Sequence, residues 1–160
     1  MDASAYFRYP GSAPARPDAA MTLLRNASEE DWRKLLAHTS SRRFESGEWL
    51  IKEGAQDDAL YFLGSGELEV LMPGGKPGRQ GQLAVVRAGS VVGEQSFLDH
   101  LPRSTSIRAL AEGEAFRLGR EAFLVFSARE PVLARDLLLD LGRVVSLRLR
   151  DTTRFLASGR

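Results

Sequence analysis

Two short runs carry most of the chemistry legible in this chain: Gly93-Glu94-Gln95-Ser96, and Pro102-Arg103-Ser104-Thr105 a few residues on. A glycine turn opening a short helix would leave backbone N–H groups facing outward. A proline-positioned arginine beside two hydroxyls adds a planar donor fork. Together they make an anion site suited to phosphate. Glu94, nine residues before Arg103, can accept hydrogen bonds from a sugar diol. Phosphate and sugar hydroxyls beside an apolar barrel that sandwiches a base describe a nucleotide.

Other chemistries lack their residues. The chain has no cysteine, which excludes thiol catalysis, disulfide scaffolds, cysteine-ligated zinc and iron–sulfur clusters, and fits a reducing compartment. His38 and His100 are the only histidines and have no ligand set around them, so no metal site is expected. No nucleophile–base pair is evident. The expectation is a protein that is not an enzyme, with no catalytic residue and no cofactor.

The elements that must position these residues follow from texture. From Phe44 to Phe126, short apolar or alternating runs are cut by glycines such as Gly54, Gly64, Gly66 and Gly89. Leu68, Val70 and Met72 alternate with Glu67, Glu69 and Leu71, which predicts a strand with one buried face. Leu83 to Val86 and Ser106 to Leu110 read as further strands. Residues 73–81, rich in Pro and Gly, form a long hairpin loop. The fold class predicted is mainly β with flanking helices: an antiparallel β-roll or jelly roll of about eight strands over about 44–126.

Helices flank this region. Ser28 is a good N-cap, and Glu29, Glu30 and Asp31 suit the first turn of a short helix whose apolar stripe is Trp32, Leu35 and Leu36. After Pro131, Leu133, Leu137, Leu138, Leu141, Val144, Val145 and Leu149 recur at spacings of three and four. They predict a long C-terminal helix over about 131–155. Its length exceeds what one small core needs, and homodimerisation through this helix is the simplest use of the excess. Residues 1–20, with Pro10, Pro14 and Pro17, read as a flexible leader, and 21–160 as one domain. Lys and Arg number 22 against 21 Asp and Glu, a net charge of +1, which excludes a strongly basic nucleic-acid wrapper. No apolar run approaches the roughly 18 residues that span a bilayer, and Asp2 stands where a signal peptide carries positive charge. A cytoplasmic protein without membrane contact is expected.

The stretch Val91 to Ala109 resembles the phosphate-binding cassette of the cyclic nucleotide-binding domains of catabolite activator protein, protein kinase A regulatory subunits and nucleotide-gated channels. Its Gly93-Glu94 to Pro102-Arg103 spacing matches the kinase type without a gap. The upstream run Gly47 to Gly54, then Asp57-Asp58-Ala59-Leu60-Tyr61-Phe62-Leu63 and Gly66-Glu67-Leu68-Glu69-Val70, resembles that family's first barrel strands. The resemblance covers roughly 25–155. It implies that Glu94 accepts the ribose 2′-hydroxyl and Arg103 pairs with the exocyclic phosphate oxygen. Backbone amides of Gly93, Ser96, Ser104 and Thr105 complete the cradle, with Gln95 beside them. Val70, Leu83 and Val91 fall where the family lines the base, and Arg148 where a helix closes over it.

What the resemblance implies is a sensor of a 3′,5′-cyclic nucleotide, cAMP favoured over cGMP, acting through an unknown effector protein. No recognition helix fits after the long helix, so direct DNA binding is not expected. Three alternatives stay open: a truncated or partner-dependent transcription regulator of the catabolite activator type, a ligand-free dimerisation scaffold, and a site in which Glu94 and Arg103 form a structural ion pair. Asp99 adds negative charge near the phosphate site and would weaken binding if it pointed inward.

Overall fold

The structure is a computed structural model that describes residues 23–78 and 81–157. The proline-rich segment 1–20 lies outside the described residues.

The chain runs α1 (Glu29–Leu36), β1 (Ser40–Phe44), β2 (Trp49–Ile51), β3 (Leu60–Leu71), β4 (Gln82–Arg87), β5 (Val91–Val92), α2 (Glu94–Asp99), β6 (Ile107–Leu118), α3 (Arg120–Arg129) and α4 (Pro131–Ala157). The predicted cap at Ser28 is a full capping box. Its hydroxyl accepts from the Asp31 N–H, and the Asp31 carboxylate accepts from the Ser28 N–H at 2.8 Å. Trp32 and Leu35 are buried.

Six antiparallel strands, ordered β1-β6-β3-β4 with β2 on β6 and β5 on β3, form the roll. The count is lower than the expected eight because β3 and β6 are each 12 residues long and do the work of two strands apiece. One half of β3 pairs β5 and the other β4, while both halves pair β6 through register shifts around Ser65 and Glu67. The backbones close in at this kink: a Cβ on Gly113 would lie 2.2 Å from the Ser65 carbonyl oxygen, so only glycine fits.

The alternation expected around Val70 breaks at the same kind of irregularity. The register slips between Val70 and Leu71, Leu71 turns inward and Met72 becomes 38% exposed. Glu69, expected to face solvent, is 1% exposed and accepts from Gln82 at 3.2 Å, with Arg108 at 3.5 Å. The strand region also starts and ends earlier than 44–126. Residues 40–43 join β1, and 120–129 form α3, whose buried Phe123 and Phe126 sit at helical spacing that the preceding glycine-cut texture masks.

Two cores result. One lies inside the roll, built on Tyr61, Leu63, Leu68, Val92 and Ile107. The other joins the sheet's outer face to the helices through Leu35, Phe62, Phe97, Phe126, Leu137 and Leu141. α4 divides its apolar residues between two stripes. Ala134, Leu137, Leu141 and Val144 are buried, while Leu138, Leu149 and Leu156 are 40%, 65% and 71% exposed.

Candidate functional site

The site forms where β5 gives way to α2. Gly93 caps α2 at φ +80°, in the left-handed region where glycine pays no Cβ penalty. A Cβ there would also sit 2.6 Å from Arg103 Nη1 and 2.8 Å from the Ala59 carbonyl oxygen. The N–H groups of Glu94, Gln95 and Ser96 precede the first intrahelical bond, which Phe97 makes to Gly93 at 3.3 Å. They are the free donors of a helix start. Asp99 does not point inward; it accepts from the Leu101 N–H at 2.9 Å and closes the far end of α2.

Arg103 is 4% exposed. Its backbone is pinned to the β2–β3 loop by Arg103 N–H to Ala55 at 3.0 Å and Gly54 N–H to Arg103 at 2.8 Å. Its guanidinium donates to the Gly93 carbonyl at 3.0 Å, the Ala59 carbonyl at 2.7 Å and the Asp57 carboxylate at 2.6 Å. The Tyr61 ring lies beneath it, 5.9 Å from the ring centroid. Asp57 also accepts from Arg117 at 3.0 Å. Partial burial pushes against the Asp57 charge, but the Arg103 hydrogen bond and positive charge outweigh it, with Arg117 adding to the effect; the carboxyl is held below the ordinary aspartate range. Arg103 Nε has no partner and, among the described residues, is the sole buried side-chain nitrogen or oxygen in that condition.

Glu94 and Arg103 are not paired with each other. Glu94, 6% exposed, pairs with Arg148 of α4 at 2.5 Å. Arg148 also donates to the Val91 carbonyl at 2.7 Å. Gln95 and Ser104 lie on the exposed rim, joined by a 2.5 Å hydrogen bond, and Thr105 is half-buried beside them. Ser96 is buried. Val70 is half-buried against the roll's inner core, and Leu83, the extra residue of the β3–β4 bulge, is 48% exposed. Val91, by contrast, is fully buried in the helix-side core, where its side chain has no surface to offer a base.

One participant, Asp57, escapes the sequence reading, and Arg148, expected over the base, bonds Glu94 and the Val91 carbonyl instead. Asp57 stands in a run quoted only as strand, and its role as Arg103's counter-ion depends on a fold contact 46 residues long. Arg148's reach to Glu94 spans a separation that no motif encodes. His100, at φ +63°, caps α2 and pairs with Asp58 at 3.0 Å on the surface.

A family model described as the cyclic nucleotide-binding domain matches residues 41–130, which takes in β1, the whole cassette and α3. The chain belongs to the cyclic nucleotide-binding domain family. Among solved structures, a cyclic nucleotide-binding domain from Methylobacillus flagellatus shares the fold at a TM-score of 0.74 with 26% identity, covering 88% of this chain and 78% of that one. The catabolite activator protein of Thermus thermophilus aligns at 0.69 and 28% identity, covering 82% and 60%. Among curated proteins, a cAMP-dependent protein kinase regulatory subunit of Emericella nidulans is 40% identical over 81 residues, 51% of this chain and 19% of its own length. A cGMP-dependent protein kinase of Caenorhabditis briggsae is 30% identical over 106 residues, 66% and 13%. The chain thus spans a fifth or less of these two curated relatives' length. In this cyclic nucleotide-binding domain, no helix among the described residues is long and apolar enough to cross a membrane.

Proposed function

We propose that this domain is a regulatory sensor that binds a 3′,5′-cyclic nucleotide and passes its occupancy to a partner protein. The observation that carries this is the unsatisfied Nε of Arg103, buried with no partner on a guanidinium that bonds the Gly93 carbonyl at the start of α2. An orphaned donor on a buried cation costs about 1–3 kcal/mol or more, and an incoming phosphate oxygen relieves it. The α2 amides, Ser104 and Thr105 then complete the anion cradle, Glu94 receives the ribose hydroxyl, and Val70 with the exposed Leu83 offers the base an apolar wall. A cysteine-free chain supports a reducing compartment such as the cytoplasm.

The ligand to test first is cAMP, named for the Emericella relative, with cGMP as comparator. Calorimetric titration should give micromolar or tighter binding to at least one. Arg103→Ala should weaken it about 10- to 150-fold, the equivalent of one charge-assisted hydrogen bond at 1.5–3 kcal/mol. An Arg103→Ala protein that binds like wild type would sink the assignment.

The outer stripe of α4 supports a homodimer. Leu138, Gly142, Val145, Leu149, Thr152 and Leu156 follow one another at spacings of four and three, the period of a coiled-coil seam. The likeness to a catabolite activator protein favours one second reading, a transcription regulator. Gel-shift assays with genomic DNA fragments separate it from the partner-mediated reading, which expects no shift.

A further inference from the structure

The chain ahead of α1 is firmly held on α4. Leu23 and Leu24 are 2% and 5% exposed and belong to the helix-side core. Leu24 stands at φ +47°, a conformation that a branched side chain keeps only where its surroundings impose it. The Leu24 N–H donates to the Asp140 carboxylate of α4 at 2.6 Å, a charge-assisted bond. Burial and this bond fix the point at which residues 1–22, which lie outside the described residues, join the folded body.

That point is the edge of an open groove of about 600 Å³ between the turn from Leu24 to Ala27 and a third face of α4. On this face Val132, Asp136, Leu139 and Arg143 follow at steps of four, three and four, one stripe of a helix surface. The stripe is separate from the buried residues of α4 and from Leu138 and Leu149. Val132 and Leu139 are 61% and 67% exposed. The lining carries four carboxylates, Asp31, Glu130, Asp136 and Asp140, against two guanidinium groups, Arg25 and Arg143. Asp31, Glu130 and Asp140 are engaged by Ser28, Lys34 and Leu24. Among the described residues, Asp136 pairs with its exposed neighbour Arg135 alone, so an exposed carboxylate stands between two exposed apolar side chains.

Residues 3–17 carry the complement. They include Arg8 and Arg16 and no acid, and Tyr6-Phe7-Arg8-Tyr9 sets three aromatic rings around one guanidinium. Large, stiff rings bury much apolar area at an interface, and a guanidinium pairs with a carboxylate. Residues 10–22 separate Tyr9 from Leu23; at ~3.3 Å each they reach easily over the about 16 Å that α4 rises from Val132 to Arg143. We propose that Tyr6 to Tyr9 dock in this groove of their own chain, with rings on Val132 and Leu139 and Arg8 on Asp136. The docking covers the third face of α4 and leaves the stripe of Leu138, Val145 and Leu149 open to a second copy. It goes beyond the nucleotide reading and stands or falls separately from it.

The chain has no cysteine, so Ser4→Cys gives one site for a nitroxide spin label on the full chain. In amide spectra of the isotope-labelled protein, residues 132–143 should lose intensity to the nitroxide, while β4, at the sheet's edge, keeps its own. The loss should vanish in Leu139→Glu. It should vanish equally in the combined Tyr6→Ala, Phe7→Ala and Tyr9→Ala protein, which leaves the described body unaltered. Leu139 is exposed, so Leu139→Glu should melt within a degree or two of wild type, which separates lost docking from lost folding. Dilution into an excess of unlabelled wild type should leave the loss unchanged, as a contact within one chain requires. No loss, an even loss across the molecule, or a loss that survives either variant would overturn the proposal. A loss that fades on dilution would overturn it too, because the segment would then come from a second copy.

Discussion

Arg103 and Glu94, the two charged residues of the site, each have an internal counter-ion, Asp57 and Arg148 respectively. Both ion pairs hold a recognition group in place, so less ordering remains to be done when ligand arrives. Gly93 is the hinge of this arrangement. Gly93→Ala would force a side chain into φ +80° and set its Cβ against Arg103 Nη1 and the Ala59 carbonyl. We expect it to cost more than the ~1–2 kcal/mol of the left-handed conformation alone, read as a lower urea midpoint, and to weaken ligand binding because Arg103 must move. An unchanged midpoint would show that the turn relaxes freely. Asp57 carries a pH signature. Burial opposes its charge, yet Arg103 and Arg117 hold its pKa below the unfolded value, so its stabilisation is present above the unfolded pKa and is lost as pH falls through the folded one. The stability gap between wild type and Asp57→Asn should be constant from pH 7 to pH 5 and close as pH drops below about 4. A gap that persists at pH 3 would mean that Asp57 acts through shape rather than charge.

At the level of elements, α4 does two jobs with two faces. Its inner stripe, Ala134 to Val144, completes the helix-side core, and its outer stripe is left uncovered over a helix of 27 residues, about 40 Å. The sequence shows these leucines and valines as one broad periodic set; which belong to the protein's own core is decided by where α3 and the sheet's outer face sit. Leu149→Glu therefore separates the roles. At 65% exposure it should leave the thermal midpoint of the monomer within a degree or two while lowering the mass seen by sedimentation from dimer to monomer. A dimer that survives the substitution would place the interface elsewhere. β3 and β6 teach the same lesson. Their glycines and the Val70–Leu71 slip are visible as letters, but a glycine that ends a strand and one that kinks a long strand look alike until the partner strand is known.

For the whole molecule, α2, α4 and the loops that carry Asp57 and Arg103 meet at one point, so ligand should stabilise the entire domain. With ligand at 100 times its Kd, mass action adds about 2.7 kcal/mol, a rise in melting temperature of several degrees for a domain of this size. Calorimetry should show one transition moving as a unit; a split in which α4 melts separately would mean that the helix is not coupled to the site. The cassette, the fold class, the Ser28 cap and the long C-terminal helix were legible in the sequence because each depends on residues near one another along the chain. Spacing fixes the Gly93–Arg103 geometry, and local hydrogen bonding fixes the cap. The burial of Glu69, the helix at 120–129, the withdrawal of Val91 into the helix-side core and the counter-ions of Glu94 and Arg103 were decided by tertiary structure. Each depends on register, or on groups 46 or more residues apart, and the energy that selects such a pairing comes into existence only when the roll and its helices have closed around it.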